Sequence, residues 1–188
     1  MNIIIYDLMQ DHRNIARLLV YMGESVQWIK EGNSEAHILL LRNCVEYLKT
    51  YPEEIHHPKE NAIFDQLGIR DGVSKSMVDR LLVEHQYLAR KTKSLCEVVN
   101  AIECDQIVSH QKLVEVCADY VEHQFRHMRD EEDTVFPLIE QKLTVTDWKS
   151  IIRVMPAGED PLFSKERKKY YDSLYSEISN SYQYHKAR

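Results

Sequence analysis

At 188 residues the chain suits one domain of ordinary size with a short appendage, and only 5 Gly and 5 Pro against 44% hydrophobic residues exclude a disordered chain. The net charge of -6 comes with no face rich in Lys and Arg, which makes nucleic acid and anionic membrane poor partners. No apolar stretch approaches bilayer length, and the opening MNIIIYDLMQDHR lacks a basic flank, so a cytoplasmic protein is expected.

The first helix is marked by Leu8, His12, Ile15, Leu19, Met22, Val26 and Ile29 at steps of three and four, closed by a C-cap signal at Glu31-Gly32-Asn33. The second begins near Ser34, an N-cap residue, and runs through Ile38, Leu41, Val45, Leu48, Ile63 and Leu67 to Gly68 and Asp71-Gly72. Pro52 and Pro58 fall inside it, each removing a backbone donor, so a kink or bulge is expected beside His56. The third carries Val78, Leu81, His85, Leu88, Thr92, Leu95, Val99 and Ile102. The fourth carries Leu113, Val116, Tyr120, His123, His127, Thr134 and Leu138, ending near Lys142.

With no alternating strand pattern, this spacing predicts an all-α, up-down-up-down four-helix bundle over residues 1–142. Residues 143–188 form a C-terminal helical extension: a short helix at Asp147-Trp148-Lys149 ending before Met155-Pro156, then an amphipathic helix after Ser164. It packs on the bundle or on a second subunit, which would make a homodimer; the sequence does not choose. The four cysteines (Cys44, Cys96, Cys104, Cys117) show no CxxC spacing and read as reduced thiols in helices.

Nine histidines are the unusual feature. Because antiparallel helices place residues equally far from their turn at one height, His12, His56, His85 and His127 fall in one layer, each on its helix's apolar stripe. His56 is followed four residues on by Glu60, and His127 by Glu131, so each pair shares a helix face. Buried carboxylates without a cation carry a large desolvation cost, and imidazole with carboxylate suits first-row divalent metals. Four His and two Glu are too many for one metal with an open position, so two metals is the natural count. His123 shares the inward face, as a fifth histidine ligand or as a hydrogen-bonded core residue. Glu132 is the alternative to Glu131, and Asp133 is expected in solvent. His57 points roughly 100° away from His56 and reads as surface or outer support ahead of an alternative ligand, while His37, His110 and His185 read as solvated.

His12, HHPKENAIF from His56 to Phe64, EHQ around His85 and HMRDEEDTVFP from His127 to Pro137 together resemble the bacterial hemerythrin-like, or HHE cation-binding, family over residues 5–142. The resemblance implies a non-haem site of two iron ions with an oxo or hydroxo bridge. It makes His12, His56, His85 and His127 terminal ligands and Glu60 and Glu131 bridges, with zinc as a substitute metal. Oxygen-carrying members have a second histidine one turn after the third-helix ligand, where this chain has Ala89, and a five-residue His-to-Asp step in the last helix. Water or His123 is expected in that gap. The implied function is binding of O2 or NO for sensing, scavenging or storage. The alternatives are an enzyme reducing peroxide or NO or donating iron for cluster repair, and a scaffold with a structural zinc or iron site.

Overall fold

A computed structural model describes residues 2–30, 34–72 and 74–186, which contain no strand. Four long rods dominate: α1 (Ile3–Lys30); α2 (Ser34–Tyr51) continuing through a wide π-turn (Pro52–His56) into α3 (His57–Arg70); α4 (Lys75–Glu103); and α5 (His110–Asp130) continuing through a second π-turn (Glu131–Val135) into α6 (Phe136–Lys142). They pack in a ring in which α1 and α4 each lie against both α2 and α5. The C-cap signal at Glu31-Gly32-Asn33 lies outside the described residues, as do the side chains of Ser34 and His185.

The apolar stripes do what their spacing requires. Ile5, Leu8, Ile15, Leu19, Met22 and Val26 of α1 are all buried, each Leu or Ile contributing about 1.5–3 kcal/mol relative to exposure. The core is nevertheless divided. One cluster gathers Ile15, Leu19, Leu48, Leu95, Val99 and Leu113, and another gathers Leu8, Ile63, Leu67, Leu81, Val135 and Ile139. On every rod the inward histidine falls between the two, so a polar layer interrupts the hydrophobic interior.

Both π-turns have the same cause. Pro58 and Pro137 have no N–H to give to the preceding turn, so the chain widens just upstream. His57 N–H then reaches Pro52 O, and Phe136 N–H reaches Glu131 O, each one residue further back than in an α-helix. The expected bulge is therefore present beside His56, and a second begins at Glu131.

The C-terminal segment folds back on the rods: α7 (Val145–Val154) against α3, and α8 (Asp172–Lys186) against α1 and α2. Thr144 and Asp147 form a reciprocal capping box at the start of α7. The last helix begins at Asp172 after a short 3₁₀ turn (Lys169–Tyr171), later than the expected start after Ser164. The intervening chain is held instead by Asp160, which accepts from Tyr47 Oη at 2.9 Å and from the backbone N–H groups of Leu162 and Phe163 at 2.8 Å.

Gly158 seats this segment on the first π-turn, since a Cβ there would meet Ile55 Cδ1 at 2.7 Å and Cγ1 at 3.1 Å. Lys59 Nζ also donates to Gly158 O at 3.2 Å. Gly158→Ala is expected to lower stability by about 1–3 kcal/mol through overpacking, read as a shift of the urea midpoint with helix content unchanged. Among the described residues no helix is long and apolar enough to cross a membrane, and all four cysteines are free.

Candidate metal centre

The histidine layer expected from the turn distances is brought together around two fully buried carboxylates. His12 Nε2 lies 3.3 Å from Glu60 Oε1 and 3.4 Å from Glu131 Oε2. His56 Nε2 is 3.2 Å from Glu60 Oε1. Across the centre, His85 Nε2 lies 3.3 Å from Glu131 Oε1 and 3.4 Å from Glu60 Oε2, and His127 Nε2 lies 3.1 Å from Glu131 Oε1. Each carboxylate therefore gives one oxygen to the His12–His56 side and the other to the His85–His127 side.

The outward nitrogens are held as consistently. His12 Nδ1 donates to Glu132 at 2.9 Å, His56 Nδ1 to Asp11 at 3.1 Å, His85 Nδ1 to Asn61 Oδ1 at 2.6 Å and His127 Nδ1 to Glu84 at 3.3 Å. An acceptor on Nδ1 fixes the ring and leaves the Nε2 lone pair facing inward, the tautomer a metal requires. Asp11, Asn61 and Glu84 escaped the sequence reading because their partners lie on other helical elements.

Glu131, not Glu132, is the inward carboxylate of the last rod; Glu132 is partly exposed and supports His12 from outside, and Asp133 is in solvent. His57 departs from the reading as a surface or outer residue. It is buried, stacks on His85 with centroids 4.3 Å apart and meets His127 edge-on at 5.8 Å. The wide turn that ends at His56 lets neighbours His56 and His57 both face inward, one toward each side of the centre. His57, Glu60, His85 and His127 have ligand atoms within 4.8 Å of one another, as do His12, His56 and Glu60.

His123 stands apart from this cluster. Its Nδ1 donates to Asp119 O at 2.8 Å and its ring lies against Tyr87, so it does not fill the gap at Ala89. Nor are His37 and His110 simply solvated: His37 packs on Trp28 at 4.9 Å, and His110 Nε2 donates to Val26 O at 3.2 Å.

Buried atoms without a hydrogen-bond partner concentrate here: Glu60 Oε2, Glu131 Oε2, His127 Nε2 and both ring nitrogens of His57. Such orphans are rare in interiors, and five around one centre fit a cation they would coordinate. Protons stand in for it in the metal-free protein. Burial alone would lower the His56 and His127 pKa values, but Glu60 beside His56 and Glu131 beside His127 lift both to about 10. His12 and His85 are also raised against burial, by hydrogen bonds to carboxylates. Burial would raise Glu60 and Glu131, yet the surrounding histidines hold Glu60 well below the carboxylate range and Glu131 at about 2. His57 moves the other way, lowered to about 4 by burial and then by the charge of His85.

The raised histidines stabilise the metal-free fold fully below pH 6.5, and that contribution is lost as pH rises through about 10. A metal must displace those protons. Uptake of metal at pH 7.5 is expected to release about two protons or more per chain, counted in a pH-stat, with affinity rising toward alkaline pH. Release of none would mean that His56 and His127 are not displaced.

None of the curated proteins compared with the chain matches it. The hemerythrin HHE cation-binding domain profile matches residues 3–139, which include every side chain of this centre, and the chain belongs to that family.

Proposed function

We propose that the protein is a non-haem di-iron protein that binds O2 or NO in sensing, scavenging or storage. One observation carries the count of two metals: each of Glu60 and Glu131 divides its oxygens between two separate groups of imidazoles. His12 and His56 would serve one ion and His57, His85 and His127 the other, with both glutamates shared. Five nitrogen donors and two carboxylates suit iron, which supplies reversible one-electron chemistry and affinity for diatomic ligands.

The chain's own contribution is positioning and shielding. Two apolar clusters close the layer above and below. A cavity of about 260 Å³ between α1 and α5, lined by His12, Ala16, Phe125 and Met128, gives a small ligand a way in beside His12. Glu132, at the rim of that cavity, holds the His12 ring in place. The enzymatic alternatives rested on an open position next to Ala89. His57 stacked on the His85 ring lies within ligand distance of that side, which leaves reversible ligand binding as the first reading.

We further propose an up-down-up-down order for the four rods, an appendage at 143–188 that offers a second copy of the chain its contact surface, and residence in the cytoplasm away from nucleic acid and membrane. Anaerobic reconstitution with ferrous iron followed by air tests the central claim. Near-ultraviolet absorption of an antiferromagnetically coupled diferric pair is expected at two irons per chain. Protein purified without added iron that holds zinc alone, with no response to air or NO, would overturn it in favour of a structural site.

A further inference from the structure

Four tyrosine rings lead from this centre to the surface. The Tyr51 phenol donates to Asp11 Oδ2 at 2.9 Å, the same oxygen that receives His56 Nδ1 at 3.1 Å. The Tyr51 ring centroid lies 5.8 Å from Tyr47, Tyr47 lies 6.1 Å from Tyr171, and Tyr171 lies 5.0 Å from Tyr170. The first three are buried, whereas Tyr170 is 49% exposed. Tyr51, Tyr171 and Tyr170 all line a groove of about 890 Å³ between α2 and the C-terminal segment, on the side away from the small-ligand cavity.

The polar contacts are what packing alone would not require. Phenylalanine would fill the same volume without calling for a buried carboxylate. Tyr47 nevertheless donates to Asp160 at 2.9 Å, and Tyr51 donates to Asp11. A phenol gives up an electron readily only when its proton has an acceptor within hydrogen-bond reach, and electron transfer is fast across steps the size of a ring contact. Burial also holds the Asp160 carboxyl above its usual range, which makes it a better proton acceptor. Tyr120 is as buried and much closer in sequence to His127, but its phenol meets only Thr92, at 3.4 Å, and it stands outside the series.

We propose that Tyr51, Tyr47, Tyr171 and Tyr170 form a relay that carries oxidising equivalents from the iron centre to the surface, where a small one-electron donor in the groove quenches them. The proposal rests on the di-iron reading and names a peroxide as the oxidant. Each hydrogen peroxide takes up two electrons, one in each of two passages along the tyrosines, and two protons drawn from water through the cavity beside His12, and leaves as two waters. In each passage Tyr51 loses an electron to the centre while its proton shifts along the bond to Asp11, and both return as Tyr47 is oxidised in turn. Tyr47 shares its proton with Asp160 in the same way. The hole then passes to Tyr170 by way of the Tyr171 ring, which keeps its proton, and the Tyr170 proton leaves past Asn43 Oδ1, 2.5 Å away, to water. A donor of the ascorbate or phenol class returns an electron, water returns the proton, and Tyr170 is restored.

The test uses iron-loaded protein treated with hydrogen peroxide, without a donor, in the presence of a nitroso spin trap, with adducts mapped by mass spectrometry. Tyr6 and Tyr87, 42% and 41% exposed, serve as internal controls of similar accessibility off the relay. The adduct is expected on Tyr170 well above Tyr6 and Tyr87. In Tyr47→Phe, and independently in Tyr51→Phe, it is expected to fall to the level of iron-free protein while iron content and diferric absorption stay at wild-type values. Equal labelling of the three exposed tyrosines would show freely diffusing oxidants and overturn the relay, as would Tyr170 labelling unchanged in both variants. Failure to form the diferric absorption at all would instead sink the di-iron reading, and the relay with it.

Discussion

Replacing Glu60 by alanine is expected to strip the centre of both metal ions, the largest loss from any single substitution. Glu60 belongs to both compact groups of potential ligands among the described residues, with His12 and His56 on Oε1 and His85 on Oε2. Losing a shared ligand should exceed the roughly 100-fold loss of affinity typical of an outer hydrogen-bond partner. The metal-free fold suffers as well. His12, His56 and His85 would each lose one carboxylate that raises their proton affinity, keeping Glu132 beside His12, Asp11 beside His56 and Glu131 beside His85, around a cavity where the carboxylate stood. Breaking a buried ionic network in this way costs about 3–5 kcal/mol. Glu60→Gln separates the two effects, because it keeps the volume and one acceptor oxygen but no charge. It should recover much of the metal-free stability and none of the two-metal binding. Iron content per chain, read beside urea denaturation of the metal-free protein, checks both. Alanine or glutamine variants that still hold two irons would show that Glu60 is not shared between them.

The helical rods and the layer of His12, His56, His85 and His127 were legible from spacing alone, because helical rise and turn position fix the height of a residue. Proline spacing made the bulge beside His56 legible too. What spacing could not give was the direction of His57. Its placement at roughly 100° from His56 assumes α-helical geometry, and the wide turn Pro52–His56 breaks that assumption at this point. Pro58 was the available signal, and Pro137 repeats it beside Glu131. His123 failed for the complementary reason: α5 is regular there, and its ring finds a carbonyl and carboxylate of its own helix at Asp119. The chain from 156 to 168 carries no periodicity to read, since Tyr47, Ile55 and Lys59, its contacts, lie far away in sequence. Helix faces are local properties and can be read from sequence, whereas the acceptors on the Nδ1 atoms and the strap over the π-turn are tertiary.

His57→Leu should reverse the usual relation between stability and function, and that reversal would mark His57 as retained for the metal. In the metal-free protein both its ring nitrogens are buried without a hydrogen-bond partner, and the nearest carboxylate, Glu53, is 3.6 Å from Nδ1. Leucine has a similar volume and no polar atom, so the metal-free variant is expected to gain about 1–3 kcal/mol at neutral pH. The gain should grow in acid. Burial and the charge of His85 depress the His57 pKa to about 4 from 6.5, so wild-type stability is intact above pH 6.5 and is lost as pH falls through 4. The variant escapes that loss, which is worth on the order of 3 kcal/mol over the window. Metal binding should move the opposite way, because an ion held by His85 and His127, as proposed, would lose its third imidazole. One of the two sites is expected to weaken by roughly 100-fold or more, while the site of His12 and His56 keeps its donors. His123→Leu is the matched control, expected to leave metal content and spectrum unchanged because the ring lies outside the cluster. Denaturation of the metal-free variants between pH 4 and 8 gives the stability half, and iron titration followed optically gives the binding half. A His57→Leu protein that is less stable without metal, or that titrates like wild type with it, would return His57 to an ordinary core position.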